Sequence, residues 1–364
     1  MPKSRKKKLL LISDSHTHVI INAYRMLAKK FNVHFYCANH LKDQLDRKCR
    51  NNAKFFNHSE GMIYFFLIFK SFNYDYIYIS TGPQNTNRKF GLIVLFFYII
   101  FIYIYGHKTI MGIRENTPYF LGIHNNLIDK LQNFIRNKSI SKINLLFFET
   151  KTLMKNFKKK FLKINPKSFV NYPLHLSKIS DLKFDPNSKP IRIGILGSLS
   201  SKRKNYKIIL QAFKKLKKKQ RENITIVMLG RYREGQNLFD LKLQEIVNVV
   251  SQKTWIEQDK FEMLAFSCHF LFSPIKKGFG GAQKGTGSFF DAIAAQKHLV
   301  IPSHADPELE FKDFCHYYTD VNSLTKVINK LLHNIQNDQL ILNKKLFNAY
   351  NNDLIIKDLA KYLK

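Results

Sequence analysis

Short apolar runs alternate with amphipathic stretches along most of the chain. Runs such as 9–12, 76–79 and 191–196 end at polar or glycine residues, which is typical of strands buried in a parallel sheet. Between such runs lie stretches with apolar residues at helical spacing, for example 19–30 and 206–218. Because strands and helices alternate, the pattern predicts βαβ units and an α/β fold with parallel sheets.

This pattern occurs in two halves of similar size, and the length of 364 residues also favours two domains. A polar stretch with prolines and no apolar periodicity, 178–190, separates the halves. We therefore predict an N-terminal Rossmann-like domain over 1–177, a linker over 178–190 and a second Rossmann-like domain over 191–337. The segment 338–364 has helical periodicity, and we predict a helix there that packs back on the first domain.

Three stretches need a separate interpretation. The longest uncharged apolar run, 90–105, predicts a helix about 24 Å long, shorter than a bilayer core of about 30 Å, so we interpret it as a buried or interfacial helix. The basic residues 1–8 precede an apolar run of only four residues, which is too short for a secretory signal. The stretch 238–250 is predicted to be helical.

The chain is strongly basic, with 60 Lys and Arg against 26 Asp and Glu, a net charge of +34. Such a balance admits nucleic acid, an anionic membrane or anionic small substrates as partners. No stretch interleaves basic and aromatic residues in the manner of nucleic-acid-binding motifs, so we expect no nucleic-acid partner. The four cysteines lack paired short spacing, which predicts free thiols in a reducing compartment.

A glycine-rich loop, 278–288, follows the apolar run 270–272 and precedes a helix predicted over 289–296. Its five glycines let the backbone adopt positive φ and approach a ligand closely. Thr286 or Ser288 can cap the helix, and free N–H groups at a helix start beside Lys284 predict an anion site. We interpret it as a site for the diphosphate of an activated sugar. A surface turn that binds nothing is the alternative.

A second loop, 197–205, has the same character, because it leaves the strand 191–196, is rich in Gly and Ser, and opens a helix. Both loops follow strands of one predicted sheet, so they should meet at its carboxyl edge. Lys202, Arg203 and Lys204 can neutralise a diphosphate there. A basic surface loop in a generally basic chain is the alternative.

The stretch 197–213, GSLSSKRKNYKIILQAF, resembles the nucleotide-sugar-binding domain of GT-B glycosyltransferases, particularly family 4 (group 1). Gly197, Lys204, Ala212 and Phe213 match the family pattern. Farther on, Gly278-Phe279-Gly280 resembles the family's glycine turn, and residues 291–295 resemble the helix after it. The resemblance implies a GT-B fold, in which two Rossmann-like domains with parallel sheets face a central cleft.

The resemblance also implies which residues bind the donor. Asp291 has the position of the acid that binds the donor ribose, and Arg203 can replace the family arginine that is Ser198 here. Trp255 and Ile256 lie where the family contacts the nucleobase, with core packing as the equal alternative. The donor-binding residues predicted in this way are Gly197, Ser198, Arg203, Lys204, Trp255, Ile256, Lys284, Gly285, Thr286, Gly287, Ser288 and Asp291.

In the first half, Arg114 and Glu115 occupy the slot where family members often carry a His-Asp pair. There Arg114 would contact phosphate or acceptor, and Glu115 would orient a hydroxyl. His16 and His18 follow the first strand, on a loop that in the family contacts donor phosphate or acceptor. We predict Arg114, Glu115 and His18 as catalytic residues, with plain surface roles as the alternative.

The resemblance implies an enzyme that transfers a sugar, with retention, from a nucleoside-diphosphate sugar to a hydroxyl. The predicted acceptor is a glycan or lipid-linked glycan of the cell-surface polysaccharide, lipopolysaccharide or capsule type. Cations and helix N-termini can stabilise the diphosphate leaving group, so we expect no metal and no other cofactor. The alternatives are a basic nucleic-acid-binding protein and a GT-B-like scaffold that binds sugar nucleotides without catalysis.

The predicted location is cytoplasmic, with peripheral contact at the inner face of the cytoplasmic membrane. The lysine-rich stretch 151–163 and the apolar run 90–105 motivate this expectation, because basic and apolar surfaces together bind anionic lipid. A solvated basic face and a core helix are the alternative.

Overall fold

The structure is a computed structural model of the chain. The residues that it describes are 6–13, 17–45, 47–56, 60–80, 91–114, 130, 134, 137–160, 167–170, 184–185, 188–197, 202–230, 242–251, 256, 258–281, 284–337, 357, 359 and 362.

The chain forms two compact units. The first comprises Met1–Pro173, Gln283–Gly285 and Asn351–Lys364, and the second comprises Leu174–Ala282 and Thr286–Tyr350. Each unit contains one sheet of parallel strands with interleaved helices. The predicted α/β fold with two Rossmann-like domains is therefore confirmed.

The first unit contains a seven-stranded sheet in the order β3-β2-β1-β4-β5-β6-β7, in which the strand pairs are parallel. Its strands are β1 (Lys8–Ser13), β2 (Asn32–Ala38), β3 (Ala53–Phe56), β4 (Tyr76–Ile79), β5 (Thr109–Ile113), β6 (Leu145–Phe148) and β7 (Lys167–Val170). Its helices are α1 (Thr17–Leu27), α2 (Arg47–Asn52), α3 (Glu60–Lys70), α4 (Gly91–Tyr105) and α5 (Lys151–Lys160), with 3-10 turns at Asn39–Gln44, Ser71–Asn73 and Gly106–Lys108.

Two apolar layers cover the faces of this sheet. One contains Leu9 and Leu11 of β1 with Ile20 of α1, and Leu359 near the chain terminus also packs there. The other contains Leu10 of β1 together with residues of α3, α4 and α5. Alternate residues of β1 thus point to opposite faces, which is the geometry of a strand buried on both sides.

The second unit contains a six-stranded parallel sheet in the order β10-β9-β8-β11-β12-β13. Its strands are β8 (Ile191–Leu196), β9 (Ile224–Leu229), β10 (Asn248–Val250), β11 (Phe270–Phe272), β12 (His298–Pro302) and β13 (Cys315–Tyr318). Its helices are α6 (Tyr206–Lys214), α7 (Lys218–Glu222), α8 (Gln258–Phe266), α9 (Gly287–Ala294) and α10 (Val321–Gln336), with a 3-10 turn at Ser303–Ala305.

The prediction of a helix over 238–250 is wrong at its end, because Asn248–Val250 is the edge strand β10. Asn248 lies opposite Thr225, and Val250 lies opposite Val227 of β9. β-Branched residues suit a pleated surface, and the neighbouring strand supplies the hydrogen-bonding partner. Helical spacing in the sequence could not reveal that partner.

The predicted long apolar helix exists as α4, which has 15 residues. Within the described part of the chain, no helix combines the length and apolar character needed to cross a bilayer.

Gly112 offers a test of packing in the first sheet. A Cβ atom at this position in β5 would clash with the carbonyl oxygen of Ser80, so Gly112→Ala must displace a buried backbone. We expect it to lower the free energy of unfolding by about 1–3 kcal/mol, measured by urea denaturation. Gly280→Ala is the control, because the nearest atoms to its Cβ would be 3.7 Å away. Equal stability of the two variants would contradict this account.

Candidate functional site

The point where strand order changes direction lies between β8 and β11 in the second unit. β8 pairs with β11, so that Ile193 lies opposite Phe270. The chain adds β9 and β10 on one side of this pair, and β12 and β13 on the other. Open parallel sheets bind ligands at such a switch point, beyond the carboxyl ends of the strands. The two loops singled out in the sequence both begin there.

The first loop is in direct contact with the segment 274–276, which leads from β11 to the second loop. The backbone N–H of Asn205 donates to the carbonyl of Pro274 at 2.7 Å, and the N–H of Lys276 donates to the carbonyl of Arg203 at 2.9 Å. Lys204 forms an isolated antiparallel bridge with Ile275. The backbone therefore holds Lys204 against the segment that follows β11.

Lys204 is a buried cation at the centre of this site. Its Nζ donates to Ser273 Oγ at 2.9 Å, and Ser273 Oγ lies 2.7 Å from Ser288 Oγ in α9. Gly197 has φ of +82°, and a Cβ there would lie 3.4 Å from Lys204 Nζ. These polar contacts connect Lys204 with the first turn of α9. Because Gly197 has no side chain, no Cβ atom lies against the Lys204 amine.

The start of α9 is capped by Thr286. Its hydroxyl accepts a long hydrogen bond of 3.5 Å from the N–H of Ser288. The capped helix therefore begins at Gly287, two residues before the predicted start. Ser288 is buried, and its hydroxyl contacts that of Ser273. Thr286 and Gly287 are partly exposed.

Asp291, one turn farther along α9, interacts electrostatically with Lys204. Burial lowers the pKa of Lys204 to about 7, and the carboxylate of Asp291 opposes that shift. Burial raises the pKa of Asp291 to about 7, Lys204 opposes this, and Glu262 of α8 adds to it. Both charges are costly in the absence of a ligand. An anion bound at Lys204 would favour its ammonium form.

The other predicted donor residues have different surroundings. The Arg203 guanidinium carbon is 5.6 Å from the centre of the Phe279 ring, so this side chain stacks on the glycine-rich loop. Lys284 is partly exposed. The N–H of Gly285 donates to the carbonyl of Arg114 at 3.0 Å, so it is not one of the free N–H groups expected for the anion. Ile256 is buried.

Several predicted residues lie outside the described part of the chain, namely Ser198, Glu115, Trp255 and His16. The backbone of His18 is in α1, but its side chain is not among those described.

Arg114 pairs with Glu149, a residue that the sequence analysis did not single out. Arg114 follows β5 and Glu149 follows β6, and these strands are neighbours. The two side chains form an ion pair in which Glu149 is buried and Arg114 is partly buried. Burial raises the pKa of Glu149, and Arg114 opposes that shift. A Cβ at Gly285 would clash with the Glu149 carboxylate. If Arg114 contacts phosphate or acceptor as predicted, it must do so while it is paired with Glu149.

Three residues of these clusters were missed, and each had a recognisable signal. Ser273 and Glu149 are the first polar residues after buried strands, at the edge of a parallel sheet where ligands bind. Glu262 lies between inward-facing apolar positions of a helix, where an acid is unusual unless it has a partner. No group of three or more His, Cys, Asp or Glu side chains suited to a metal occurs among the described residues.

Comparison with solved structures identifies the fold. Similar structures include Anabaena HepE in complex with UDP and glucose, with a TM-score of 0.64, 12% identity and coverage of 98% of this chain and 99% of that one. WaaG, a glycosyltransferase involved in lipopolysaccharide biosynthesis, gives a TM-score of 0.65, 10% identity and coverage of 98% and 99%. A UDP-forming α,α-trehalose-phosphate synthase from Burkholderia xenovorans gives a TM-score of 0.59 and 10% identity, with coverage of 98% of this chain and 100% of that one.

This chain therefore has the GT-B fold, as its resemblance to that family implied. No protein-family profile matches the sequence, and no curated protein matches it either.

The buried state of Lys204 predicts a pH effect on stability. Its pKa is about 7 in the folded chain but about 10.4 when unfolded, so between these values the unfolded chain binds more protons. Its contribution to stability must therefore rise with pH. We expect the unfolding free energy of the wild type, relative to Lys204→Met, to increase from about pH 7 to about pH 10 in urea titrations. Lys218→Met, at a solvent-exposed site, should show a constant difference. A constant difference for Lys204→Met would refute burial of the amine.

Proposed function

We propose that this protein is a glycosyltransferase that binds a nucleoside-diphosphate sugar in its second unit. The observation that carries the proposal is the buried Lys204 amine, linked to Ser273 and Ser288 at the switch point of the sheet. A cation at a helix start beneath a glycine is suited to a phosphate group.

In this proposal Lys204 and the first turn of α9 bind the diphosphate, and Asp291 accepts hydrogen bonds from the ribose hydroxyls. The electrostatic interaction between Lys204 and Asp291 supports this division, because a nucleotide presents its diphosphate and its ribose side by side. Arg203, stacked on Phe279, supplies a second cation at the loop.

The similar structures support a nucleotide-sugar donor. Anabaena HepE is in complex with UDP and glucose, and the Burkholderia synthase is UDP-forming. WaaG is involved in lipopolysaccharide biosynthesis, which supports a glycan or lipid-linked glycan acceptor of the lipopolysaccharide, capsule or cell-surface polysaccharide type. Retention of configuration rests on the family resemblance in the sequence.

The proposed reaction needs no metal ion. The bond between the anomeric carbon and the diphosphate oxygen breaks, the acceptor oxygen bonds to that carbon, and the proton of the acceptor hydroxyl passes to the departing diphosphate. Negative charge develops on the departing diphosphate. Lys204 and the α9 amide dipoles are already in place to stabilise that charge, while the Arg114–Glu149 pair is the candidate polar group on the acceptor side.

We also propose that the protein works in the cytoplasm, at the inner face of the membrane. The lysines of α5 support this, because Lys158 and Lys159 are exposed and cations attract anionic lipid.

Two substitutions test the donor site. Lys204→Met removes a charge-assisted hydrogen bond, which contributes about 1.5–3 kcal/mol, so affinity for nucleoside diphosphates should fall about tenfold to a hundredfold. Asp291→Asn should weaken binding of nucleoside diphosphates relative to binding of inorganic pyrophosphate, because only the nucleoside diphosphate carries a ribose for this carboxylate to bind. Calorimetry measures binding, and release of nucleoside diphosphate from a panel of sugar nucleotides measures turnover.

Lys218→Met is the control for charge, because this lysine is on the exposed helix α7. If both site variants bind nucleoside diphosphates with wild-type affinity, the assignment of the donor pocket is wrong. Nucleotide binding without any release of diphosphate would favour a non-catalytic scaffold. Steeply salt-dependent binding of random RNA, with no response to nucleotides, would favour the nucleic-acid-binding alternative.

A further inference from the structure

Helices α3, α4 and α5 form one layer on a single face of the first sheet. Tyr64 of α3, Phe101 of α4 and Phe157 of α5 all belong to the apolar cluster on that face. Tyr64 and Phe101 are in ring contact at 5.6 Å. The inner side of this layer is therefore a conventional packed core.

The outer side of the layer is also aromatic. Phe69, Phe72, Phe96 and Tyr103 are between 58% and 68% exposed, and Phe66 is 45% exposed. We call these five residues the aromatic face. Single exposed apolar side chains are common on soluble proteins, but a contiguous group marks a surface that binds something.

Ring contacts join exposed residues of the two helices. Phe69 contacts Phe65 at 5.9 Å between ring centres, Phe65 contacts Phe97 of α4 at 5.0 Å, and Phe97 contacts Phe96 at 5.6 Å. Phe72 contacts Tyr105 at 5.4 Å. The aromatic face therefore includes residues that are joined across α3 and α4 by an unbroken series of ring contacts.

Charge is distributed around this surface and not within it. The sequence has no charged residue in 61–69 or in α4. Lys70 is exposed at the end of α3, and Lys142 Nζ lies 5.6 Å from the centre of the Tyr103 ring. Lys158 and Lys159 are exposed on α5 in the same layer. Lys70 and Lys142 therefore give the aromatic face a basic edge, and α5 carries further exposed lysines in the same layer.

We propose that the aromatic face docks on a lipid bilayer that contains anionic lipid. Aromatic side chains enter the region between headgroups and acyl chains, and lysines at the edge contact the anionic headgroups. At 15 residues, α4 is about 22 Å long, so it lies against the bilayer. A second copy of this chain is a poorer occupant, because it would bring two basic edges together in a protein of net charge +34.

This inference deepens the proposed function by naming the surface that meets the membrane, and in that respect it rests on that function. Lipid binding itself requires none of the donor chemistry in the second unit. The two proposals can therefore fail separately.

Co-sedimentation with vesicles tests the proposal. The full chain should bind vesicles of equal parts phosphatidylglycerol and phosphatidylcholine at least about tenfold more tightly than pure phosphatidylcholine vesicles. The triple variant Phe69→Ser/Phe72→Ser/Phe96→Ser should lose at least about tenfold of that affinity. Its circular dichroism spectrum and urea denaturation midpoint should match those of the wild type, which shows that the first unit is folded. Its affinity for nucleoside diphosphates should also equal that of the wild type.

Val250→Ser/Met263→Ser is the matched control, because both residues are exposed apolar side chains of the second unit, and it should bind vesicles as the wild type does. Lys204→Met should also retain vesicle binding, even if it no longer binds nucleoside diphosphates. Lys158→Glu/Lys159→Glu should weaken binding to the anionic vesicles only. Unchanged vesicle binding by the triple variant would overturn the proposal. A lipid-free dimer that this variant dissociates, without vesicle binding by the wild type, would also overturn it.

Discussion

The parallel pairing of β8 with β11 determines where the chemistry of the second unit can lie. It places the ends of two strands side by side although they are far apart in the sequence. The loop after β8 then returns along the segment after β11, through the hydrogen bond from Asn205 to Pro274. Lys204 reaches Ser273 and Ser288 only because of this return. A change in strand order would separate these residues.

Each of the two charged pairs described above contains an ionisable group whose charge is opposed by burial. Lys204 with Asp291, and Arg114 with Glu149, are held near opposite charges that recover part of the desolvation cost. Buried pairs of this kind seldom improve stability over an apolar core. Their presence at the carboxyl ends of parallel strands is therefore better explained by ligand binding than by folding. Gly197 and Gly285 reinforce this view, because each leaves backbone close to one of the charged groups.

The layer of α3, α4 and α5 shows why an apolar sequence does not by itself specify burial. The sequence of α4 is apolar on all sides, which predicts a buried or interfacial helix. Its inner residues, such as Tyr98 and Phe101, are fully buried, whereas Phe96 and Tyr103 are largely exposed. One side of α4 is therefore buried and the other is exposed, although the helix is apolar on all sides.

The sequence alone determined the fold class, because strand and helix periodicities are local and a parallel sheet follows from their alternation. It also located both loops of the second unit, since glycine, capping residues and cations are recognisable without tertiary contacts. Only the tertiary structure decided that Asn248–Val250 is a strand, because its partner β9 is distant in the sequence. Only the tertiary structure placed Glu149 against Arg114 and Ser273 beneath Lys204. Such pairings depend on strand order and burial, which no local pattern encodes.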